Sequence, residues 1–201
     1  MPSSIYKLLN RPILYKIAQF VFAPGALTMI LYLIRKYLRF LPAAERILDV
    51  ACGPASLLFR AGVRPIGTDI SMTYLREYSM TEPKAVLSSA DALPFAGGCI
   101  HGVWSIGLLH HLPDAQAGKA IEECVRVCGQ NGYVVILDAV LPRSLWTRPL
   151  AALIRKLDRG KYMRVQKELE ALFPDREKWK LERCTYSLTG LEMLACVYLK
   201  L

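Results

Sequence analysis

Several common sequence landmarks are missing from this 201-residue chain. It has no internal repeat and no low-complexity stretch, so repeat architectures and biased disordered segments are excluded. Its six cysteines form no C-x-x-C pair, which removes the usual redox signature. There is no G-x-G-x-x-G motif, and this absence argues against a dinucleotide ligand. The whole chain is 53% hydrophobic and 21% charged, a composition that suits one domain with a hydrophobic core.

The cysteines are best explained as buried thiols in a reducing compartment. Cys124 and Cys128 lie four residues apart on a predicted helix face, and Cys196 lies in an apolar strand. No small-residue cleavage site marks a secreted chain, so we expect a cytoplasmic protein. The side chains that could be imagined around a metal are Cys99, His101, His110 and His111. Their spacing fits no zinc pattern, and no metal is predicted.

Basic residues are concentrated in two segments of a chain whose net charge is +9. Residues 1–44 hold six basic and no acidic residues, and residues 143–167 hold eight and one. Aliphatic residues among the basic ones suit an anionic membrane surface or the headgroup of a lipid-like substrate, and a solvated basic face is the alternative. Only Trp146 and Tyr162 in the second segment could stack on bases, so a nucleic-acid partner is not expected.

An uncharged run of 18 residues, 17–34, reaches the lower limit for a membrane span. A Pro-Gly pair at 24–25 lies in its middle and would break a helix in lipid, and basic residues flank both ends. We therefore predict two short helices, 4–22 and 26–40, rather than one span. This amino-terminal segment, residues 1–44, would serve either as a lid over the rest of the chain or as a membrane contact.

From residue 45 onward, short apolar runs alternate with helical patterns. The predicted strands are 46–51, 64–69, 84–88, 102–107 and 133–137. The predicted helices are 54–61, 72–79 and an amphipathic helix over 117–128, which a turn at 129–132 ends. Because strands and helices alternate, these elements predict an α/β fold with a parallel, doubly wound, Rossmann-like sheet.

The carboxyl-terminal part of the chain follows another pattern. The strand candidates 179–187 and 191–199 are separated by only three residues, so they predict an antiparallel hairpin. The hairpin brings the sheet to seven strands. We assign residues 45–201 to one domain and treat 143–178 as an insertion on its substrate side, since substrate choice in such folds depends on segments outside the sheet.

Acidic residues stand at the ends of three predicted strands. Asp49 and Asp69 close the first two strands, and Asp91 follows the third. Ligands of an open parallel sheet bind beyond the carboxyl ends of its strands, so these carboxylates would share one site, although each alone could simply cap an element. Asp69 has the spacing of a ribose-binding acid, and Gly53 lets a ligand approach the backbone. The expected ligand has a ribose, a base and a small anionic end, without a diphosphate.

Several segments resemble the motifs of one family. They are Ile47–Ala55, Ile66–Ser71, Ser89–Phe95, Trp104–Leu112 and Glu122–Arg126 followed by Asn131-Gly132. Together they are similar to the class I S-adenosyl-L-methionine-dependent methyltransferases, in particular the broad type 11 branch that includes quinone-biosynthesis and other small-molecule enzymes. The resemblance covers about residues 47–137, and the terminal hairpin fits the last two strands of that family. Ala51 and Ala55 stand where the family usually has glycine.

This resemblance implies S-adenosyl-L-methionine as the cofactor. The backbone from Ala51 to Gly53 would hold its methionine moiety, Asp69 its ribose and Asp91 the amino group of its adenine. Ser105 and Ile106 would line the cofactor from the fourth strand. The full set of implied cofactor-binding residues is Asp49, Ala51, Cys52, Gly53, Asp69, Ile70, Asp91, Ala92, Ser105 and Ile106.

The resemblance does not assign a catalytic base. A carbon acceptor needs little acid–base help, whereas an alcohol needs a base. The candidates are His110, His111 and Asp138, although a histidine pair at this place belongs to the general pattern of the family and could be structural.

We therefore expect methyl transfer from S-adenosyl-L-methionine to a hydrophobic or lipid-like small molecule, in the cytoplasm and at a membrane surface. Two alternatives stay open. One is a soluble methyltransferase that acts on a polar metabolite. The other is a non-catalytic, cofactor-binding assembly module. The sequence predicts neither the oligomeric state nor the atom that is methylated.

Overall fold

The computed structural model describes residues 25–82, 84–144, 146–157, 160–186 and 190–201. The helices are α1 (Ala26–Phe40), α2 (Met72–Ser79), α3 (Asp114–Val127), α4 (Pro149–Leu157) and α5 (Gln166–Glu170). The strands are β1 (Ile47–Val50), β2 (Ile66–Asp69), β3 (Ala85–Leu87), β4 (Ile100–Ile106), β5 (Cys128–Val140), β6 (Trp179–Tyr186) and β7 (Leu191–Lys200). Short 3₁₀ helices cover Leu57–Ala61, Leu109–His111 and Arg176–Lys178.

The seven described strands form one sheet in the order β3-β2-β1-β4-β5-β7-β6. Strands β1 to β5 are parallel, and β7 runs antiparallel to both β5 and β6. The predicted α/β sheet with a carboxyl-terminal hairpin is thus confirmed. Strand order reverses between β1 and β4, so ligands of this class of sheet bind near the carboxyl ends of those two strands.

Apolar layers cover both faces of the sheet. One face packs against α3, and the other packs against α1 and α4. On the second face Trp104 and Tyr133 meet edge to face, with ring centroids 6.2 Å apart. Gly102 makes this contact possible, because a Cβ at that position would lie 2.7 Å from the Tyr133 ring. The core therefore fixes the register of β4 against β5, the two strands that carry the histidine candidates and Asp138 at their carboxyl ends.

Helix α1 has the bounds that the sequence predicts for the second amino-terminal helix. It follows Gly25, whose φ of 84° interrupts helical geometry at the predicted break. Leu33 and Ile34 are buried against the sheet, and Tyr37 donates a hydrogen bond of 2.9 Å to Glu182. This described part of the amino-terminal segment therefore packs on the sheet, while the predicted helix 4–22 lies outside the described residues. No helix within the described ranges is long and apolar enough to cross a membrane.

The helix predicted over 54–61 is shorter than expected. It is a 3₁₀ helix that starts at Leu57, and Pro54 lies in the preceding turn rather than in the first helical turn. Ser56 caps this helix, since its hydroxyl accepts a hydrogen bond of 3.1 Å from the Leu58 amide. A capping serine was the stronger start signal, and the position given to Pro54 was wrong.

The junction between α3 and β5 also differs from the prediction. Cys128 is the first residue of β5 and pairs with Ile100, so it does not share a helix face with Cys124. The predicted turn at 129–132 is an irregularity within β5, where the register with β4 shifts and Asn131 has a φ of 59°. Strand β4 accordingly begins two residues earlier than predicted. Cys52, Cys124, Cys128 and Cys196 are buried as predicted, whereas Cys99 and Cys184 are half-buried, and all six thiols are free of disulfides.

Candidate active site

Asp69 joins two loops at the carboxyl edge of the sheet. It ends β2 and is largely buried. One of its carboxylate oxygens accepts a hydrogen bond of 3.0 Å from the Gly53 amide, and the other accepts one of 2.8 Å from the Ser71 amide. Each oxygen keeps a further acceptor site, because a carboxylate offers about four lone-pair positions. Asp69 can therefore accept two hydroxyl groups of a ligand while it holds the loop after β1.

The loop after β1 turns sharply and leaves its backbone accessible. Ala51 and Gly53 both have left-handed backbone geometry, with φ of 60° and 63°. A Cβ at Gly53 would meet nothing within 4 Å, so the space above this residue is open. The Cys52 thiol instead packs with Leu75 and Tyr78, and burial raises its pKa well above the usual value. Cys52 can thus offer a ligand its backbone but not a reactive thiolate.

Ala51 occupies a backbone conformation that costs an L-residue about 1 kcal/mol relative to glycine. We expect Ala51→Gly to raise the free energy of unfolding by about that amount, measured by urea denaturation. Ala55→Gly is the matched control, because Ala55 is not left-handed and glycine there adds only unfolded-state entropy. Equal effects of the two substitutions would contradict this account of the loop.

Asp49 lies behind the same loop and connects its two ends. It is buried at the end of β1, and the Ser56 hydroxyl donates to it at 2.5 Å across the turn. Burial raises the pKa of Asp49 to about 7 and the nearby Asp69 carboxylate adds to this, while the Ser56 hydrogen bond opposes it. The sequence implied a cofactor contact for Asp49, and the structure places it behind the loop, where it fixes the loop's two ends.

The raised pKa of Asp49 makes folding stability depend on pH. The folded protein favours the protonated carboxyl, so this contribution is present below the ordinary pKa of 3.8 and is lost as the pH rises to about 7. We expect Asp49→Asn to have little effect at pH 4 and to stabilise the protein at pH 8, by on the order of 3 kcal/mol. Urea denaturation at both values measures this. A difference between the two proteins that is the same at both pH values would refute it.

The remaining implied cofactor residues lie along the same edge. Ile70 directly follows Asp69 and is 76% exposed, which leaves its apolar surface available to a flat base. Asp91 accepts a hydrogen bond from the Ser89 hydroxyl in the loop after β3, and Ala92 is exposed beside it. Ser105 is only 1% exposed, and its hydroxyl has no hydrogen-bond partner among the described residues. Ile106 is half-buried at the end of β4.

These residues fit a nucleoside that carries an amino-acid tail. Asp69 has acceptors for two hydroxyl groups, Ile70 offers an apolar surface beside it, and the open space above Gly53 admits a small group next to backbone amides. The buried Ser105 hydroxyl adds a hydrogen-bonding group whose partner is still to be supplied. The site is therefore chemically matched to the ligand that the sequence predicts.

The three candidates for a catalytic base have different surroundings. His110 Nδ1 lies 2.6 Å from Asp138 Oδ1, and the rings of His110 and His111 lie 4.1 Å apart. His111 is exposed, whereas Asp138 is 1% exposed at the carboxyl end of β5. Asp138 also accepts hydrogen bonds from the Leu109 and Ala139 amides. Its carboxylate is enclosed by protein donors, so a substrate could reach His110 or His111 but not Asp138.

Arg164, which follows α4, forms hydrogen bonds with the turn that carries His110 and His111. The buried guanidinium donates to the carbonyl oxygens of Leu109 at 2.8 Å and Leu112 at 2.7 Å, and it pairs with Asp114 at 2.6 Å. Sequence reasoning missed this role and counted Arg164 among the residues of a basic surface. Its partners lie some 50 residues away in the chain, so no local pattern could have indicated them.

The basic segment 143–167 is therefore less basic at the surface than its composition suggests. Arg155 and Arg164 are both buried, and Arg155 donates to the Glu192 carbonyl at 2.7 Å. Arg148 is half-buried and pairs with the Glu192 carboxylate at 2.8 Å. The charge count of this segment therefore overstates the charge that is available to an anionic partner, because several of these side chains neutralise or cap groups inside the protein.

Other grooves and clusters lie away from this edge. One cleft of about 290 Å³ is lined by Trp179, Tyr198 and Lys200, and another of about 370 Å³ by Pro42 and His101. Both lie at the amino-terminal ends of the parallel strands. The side chains considered for a metal are also divided: Cys99 and His101 lie at the start of β4, and the other two histidines follow its end. Those four side chains cannot share one metal ion.

The comparison with known protein sequences points to one family. A family model described as "Methyltransferase domain" matches residues 48–136. A tRNA (carboxymethyluridine(34)-5-O)-methyltransferase from Arabidopsis thaliana is 35% identical over 105 residues, which cover 50% of this chain and 25% of the relative. The chain thus spans about a quarter of the length of this curated relative.

Solved structures share the fold at low sequence identity. A SAM-dependent methyltransferase from Thermotoga maritima has a TM-score of 0.71 at 12% identity, and the match covers 98% of this chain and 100% of that one. The geranyl diphosphate C-methyltransferase of Streptomyces coelicolor A3(2) has a TM-score of 0.63 at 11% identity, covering 87% and 80%. The methyltransferase-domain model thus matches the central part of this chain, residues 48–136, and the sheet order described above is the fold that these solved methyltransferases share.

Proposed function

We propose that the protein transfers the methyl group of S-adenosyl-L-methionine to a hydrophobic or lipid-like small molecule. The observation that carries the methyl-transfer part is Asp69, whose carboxylate holds the Gly53 and Ser71 amides and still has acceptor positions for a ribose. When bound, the cofactor supplies a methyl group on a sulfonium, which is already activated. The protein then has to align the acceptor in line with that methyl group and keep water out.

In this proposal different residues at the sheet edge bind different parts of the cofactor. Asp69 holds the ribose, Asp91 the adenine amino group, and the backbone from Ala51 to Gly53 the methionine moiety. Ile70 packs on the face of the adenine, with Ala92 nearby, and Ser105 and Ile106 line the cofactor from β4. Asp49 and Cys52 act from behind the loop, since the Asp49 carboxylate and the Cys52 thiol are turned into the protein.

A hydrophobic acceptor is supported by the surface of the segment after β5. Trp146 is 95% exposed, and Leu150 and Leu153 on α4 are each about half exposed. These side chains belong to the insertion 143–178, for which we propose a substrate-side role together with the amino-terminal segment 1–44. A single exposed apolar residue is ordinary, but three within eight positions form an apolar surface. The S. coelicolor neighbour was solved with geranyl diphosphate, a hydrophobic chain with an anionic end.

We further propose that this surface rests on an anionic membrane. The exposed Trp146, Leu150 and Leu153 would enter the headgroup region, and the exposed Arg143 and Lys161 would face anionic lipid. The net charge of +9 acts in the same direction at a distance. The bound protein would then meet a lipid-like acceptor without extracting it through water.

Calorimetry with S-adenosylhomocysteine, followed by methyl-release assays, tests the enzymatic proposal. The assays offer a lipid extract, an extract of polar metabolites and total tRNA in parallel. Transfer to the lipid extract supports the proposal, and transfer to the polar extract instead would identify a soluble enzyme. Transfer to tRNA would mean that this chain shares the acceptor named for its Arabidopsis relative. Cofactor binding without any transfer would favour an assembly module.

Sedimentation with vesicles tests the membrane proposal separately. We expect the protein to sediment at low salt with phosphatidylcholine vesicles that contain phosphatidylglycerol, and less so without the anionic lipid. Trp146→Ser combined with Leu153→Ser should weaken this association. Met80→Ser is the control, since Met80 is an apolar side chain that is 87% exposed but follows α2, outside the insertion. A wild-type protein that stays in the supernatant would disprove the membrane contact.

A further inference from the structure

The turn after β4 presents His110 in a fixed orientation. His110 belongs to the 3₁₀ helix Leu109–His111, and its Nδ1 lies 2.6 Å from Asp138 Oδ1. The carboxylate is held in turn by the Leu109 amide at 2.5 Å and the Ala139 amide at 2.7 Å. Asp138 thus reaches from β5 to the histidine with its position set by backbone donors on both sides.

The electrostatics of this pair determine the tautomer of the histidine. Although burial acts to raise the pKa of Asp138, the His110 ring and the two amides hold that pKa below its usual value. An ionised carboxylate only accepts hydrogen bonds, so in the neutral ring Nδ1 carries the proton and Nε2 carries the lone pair. The same carboxylate stabilises the imidazolium that forms when Nε2 takes up a proton.

The place of His110 in the sheet suits contact with an acceptor. In the sheet, β4 lies between β1 and β5. The loop that is proposed to hold the cofactor follows β1, and Asp138 lies at the carboxyl end of β5. The loop after β1 and Asp138 therefore follow strands that are two strand spacings apart, about 10 Å, and the turn that carries His110 follows the strand between them.

Residues 160–164, which follow α4, pack against the same ring and its turn. A Cβ at Gly160 would lie 2.3 Å from His110 Cδ2, so only glycine permits this approach. The Tyr162 amide donates to the His110 carbonyl at 3.0 Å, and Arg164 holds the Leu109 and Leu112 carbonyls. The His110 side chain is 11% exposed as a result. Among the described residues, the charged or titratable groups beside this turn include His111 from the turn itself, Asp138 from β5 and Arg164 from the segment 160–164.

From this geometry we infer that His110 is the general base of the reaction, that Asp138 is its positioning residue, and that the acceptor atom is a hydroxyl oxygen. The inference rests on the proposed methyl transfer. As the acceptor oxygen forms its bond to the methyl carbon, its proton moves to His110 Nε2. The carbon–sulfur bond breaks, and its electron pair stays on sulfur. The step turns a sulfonium and a neutral histidine into a thioether and an imidazolium, so charge and atoms balance.

The chemistry of the acceptor follows from the presence of a base. An activated carbon can take up a methyl group without a base at this position, whereas a hydroxyl is a weak nucleophile until its proton is removed. A buried, oriented histidine–carboxylate pair therefore points to O-methylation of a hydrophobic alcohol or phenol. The competing explanation is that the pair only ties the turn after β4 to β5.

A first experiment examines the tautomer without any cofactor. Long-range proton–nitrogen NMR spectra of protein labelled in histidine nitrogen should show neutral His110 protonated at Nδ1. In Asp138→Asn the pKa of His110 should fall by about one unit or more, because the imidazolium loses its carboxylate partner. His101 serves as the internal control, since it lies at the opposite end of β4. A neutral His110 that is protonated at Nε2 would overturn the inference.

A second experiment separates a base from a merely structural residue. Two acceptors of equal chain length are compared at pH 8: 4-octylphenol, which is protonated, and an octyl nitrophenol, which is ionised. His110→Asn should slow methylation of the first by about 100-fold and of the second by less than about threefold, since an ionised acceptor needs no base. His110→Gln provides a second variant, and His101→Asn should change neither rate.

The outcomes distinguish this inference from the proposed function. If the protein does not bind S-adenosylhomocysteine, the proposed methyl transfer fails. If it binds S-adenosylhomocysteine but methylates neither phenol, or if both variants slow the two phenols equally, only the assignment of a base and a hydroxyl acceptor fails. A rate on 4-octylphenol that rises with the pH through the NMR-measured pKa of His110, with that rise absent in His110→Asn, supports it.

Discussion

Asp69→Ala is expected to weaken binding of S-adenosylhomocysteine by about 100-fold or more. In the proposed complex both carboxylate oxygens accept ribose hydroxyls, and each hydrogen bond to a charged group contributes about 1.5–3 kcal/mol. Loss of two such bonds, at about 3 kcal/mol together, corresponds to the 100-fold change. The same substitution leaves the Gly53 and Ser71 amides without this acceptor, which loosens the loop that is proposed to hold the methionine moiety. Calorimetry measures the change directly.

Two further variants make this result specific. Asp69→Asn keeps one acceptor oxygen, so its affinity should lie between those of the wild type and Asp69→Ala. Asp175→Ala is the control for removing a surface aspartate, since Asp175 lies at the opposite edge and pairs with the exposed Lys178. Circular dichroism and urea denaturation show whether each variant is folded before it is titrated. Unchanged affinity in a folded Asp69→Ala protein would place the ribose somewhere else.

The sheet was predictable because its signals are local. Apolar runs of strand length, separated by helical patterns, indicated β1 to β5, and the short link between the strands predicted over 179–187 and 191–199 indicated the hairpin of β6 and β7. The predicted bounds of α1 and α2 agree with the observed ones, and the start of each helix is marked by a residue in the sequence. Gly25 precedes α1 with left-handed geometry, and the Ser71 hydroxyl accepts from the Tyr74 amide at 3.3 Å at the start of α2.

Elements whose bounds depend on contacts across the fold were not predictable in this way. Pro54 suits a first helical turn, yet Ser56 determines the start because Asp49 holds it from another element. Cys128 continues the apolar spacing of α3, yet Ile100 draws it into the sheet. In each case a tertiary contact outweighed a local preference, and only the fold reveals the partner.

The candidate site shows the same division. Acids at the ends of parallel strands predicted one shared edge, and the structure brings Asp69 to the loop after β1 as that logic requires. The pairing of His110 with Asp138 depends on the register of β4 against β5, because the partners lie 28 positions apart in the chain. Charge counts predicted a basic surface, but they cannot tell a solvated arginine from Arg164, whose partners come from distant loops.

Glu192→Gln is expected to cause a large loss of stability. Glu192 is 2% exposed, and its carboxylate receives Arg183 at 2.7 Å, Arg148 at 2.8 Å and the Arg143 amide at 3.0 Å. Glutamine leaves the nearly buried Arg183 guanidinium without its counter-charge. Removing one partner of such a pair costs about 3–5 kcal/mol, and urea denaturation measures it. Since the network also holds the start of the insertion, cofactor-dependent activity should become more temperature-sensitive.

The pH dependence identifies the cause of that loss. Burial acts to raise the pKa of Glu192, but Arg183, the Arg143 amide and Arg148 together lower it to about 2. A depressed pKa contributes stability above the ordinary value of 4.5, and this contribution disappears as the pH falls toward 2. The difference between wild type and Glu192→Gln should therefore be full at pH 6 and shrink steadily below pH 4.5. Glu123→Gln is the control, because Glu123 pairs with a more exposed arginine and should cost less than about 1 kcal/mol. A difference between wild type and Glu192→Gln that persists unchanged to pH 2 would mean that packing, and not the buried charge pair, determines the stability of this corner of the sheet.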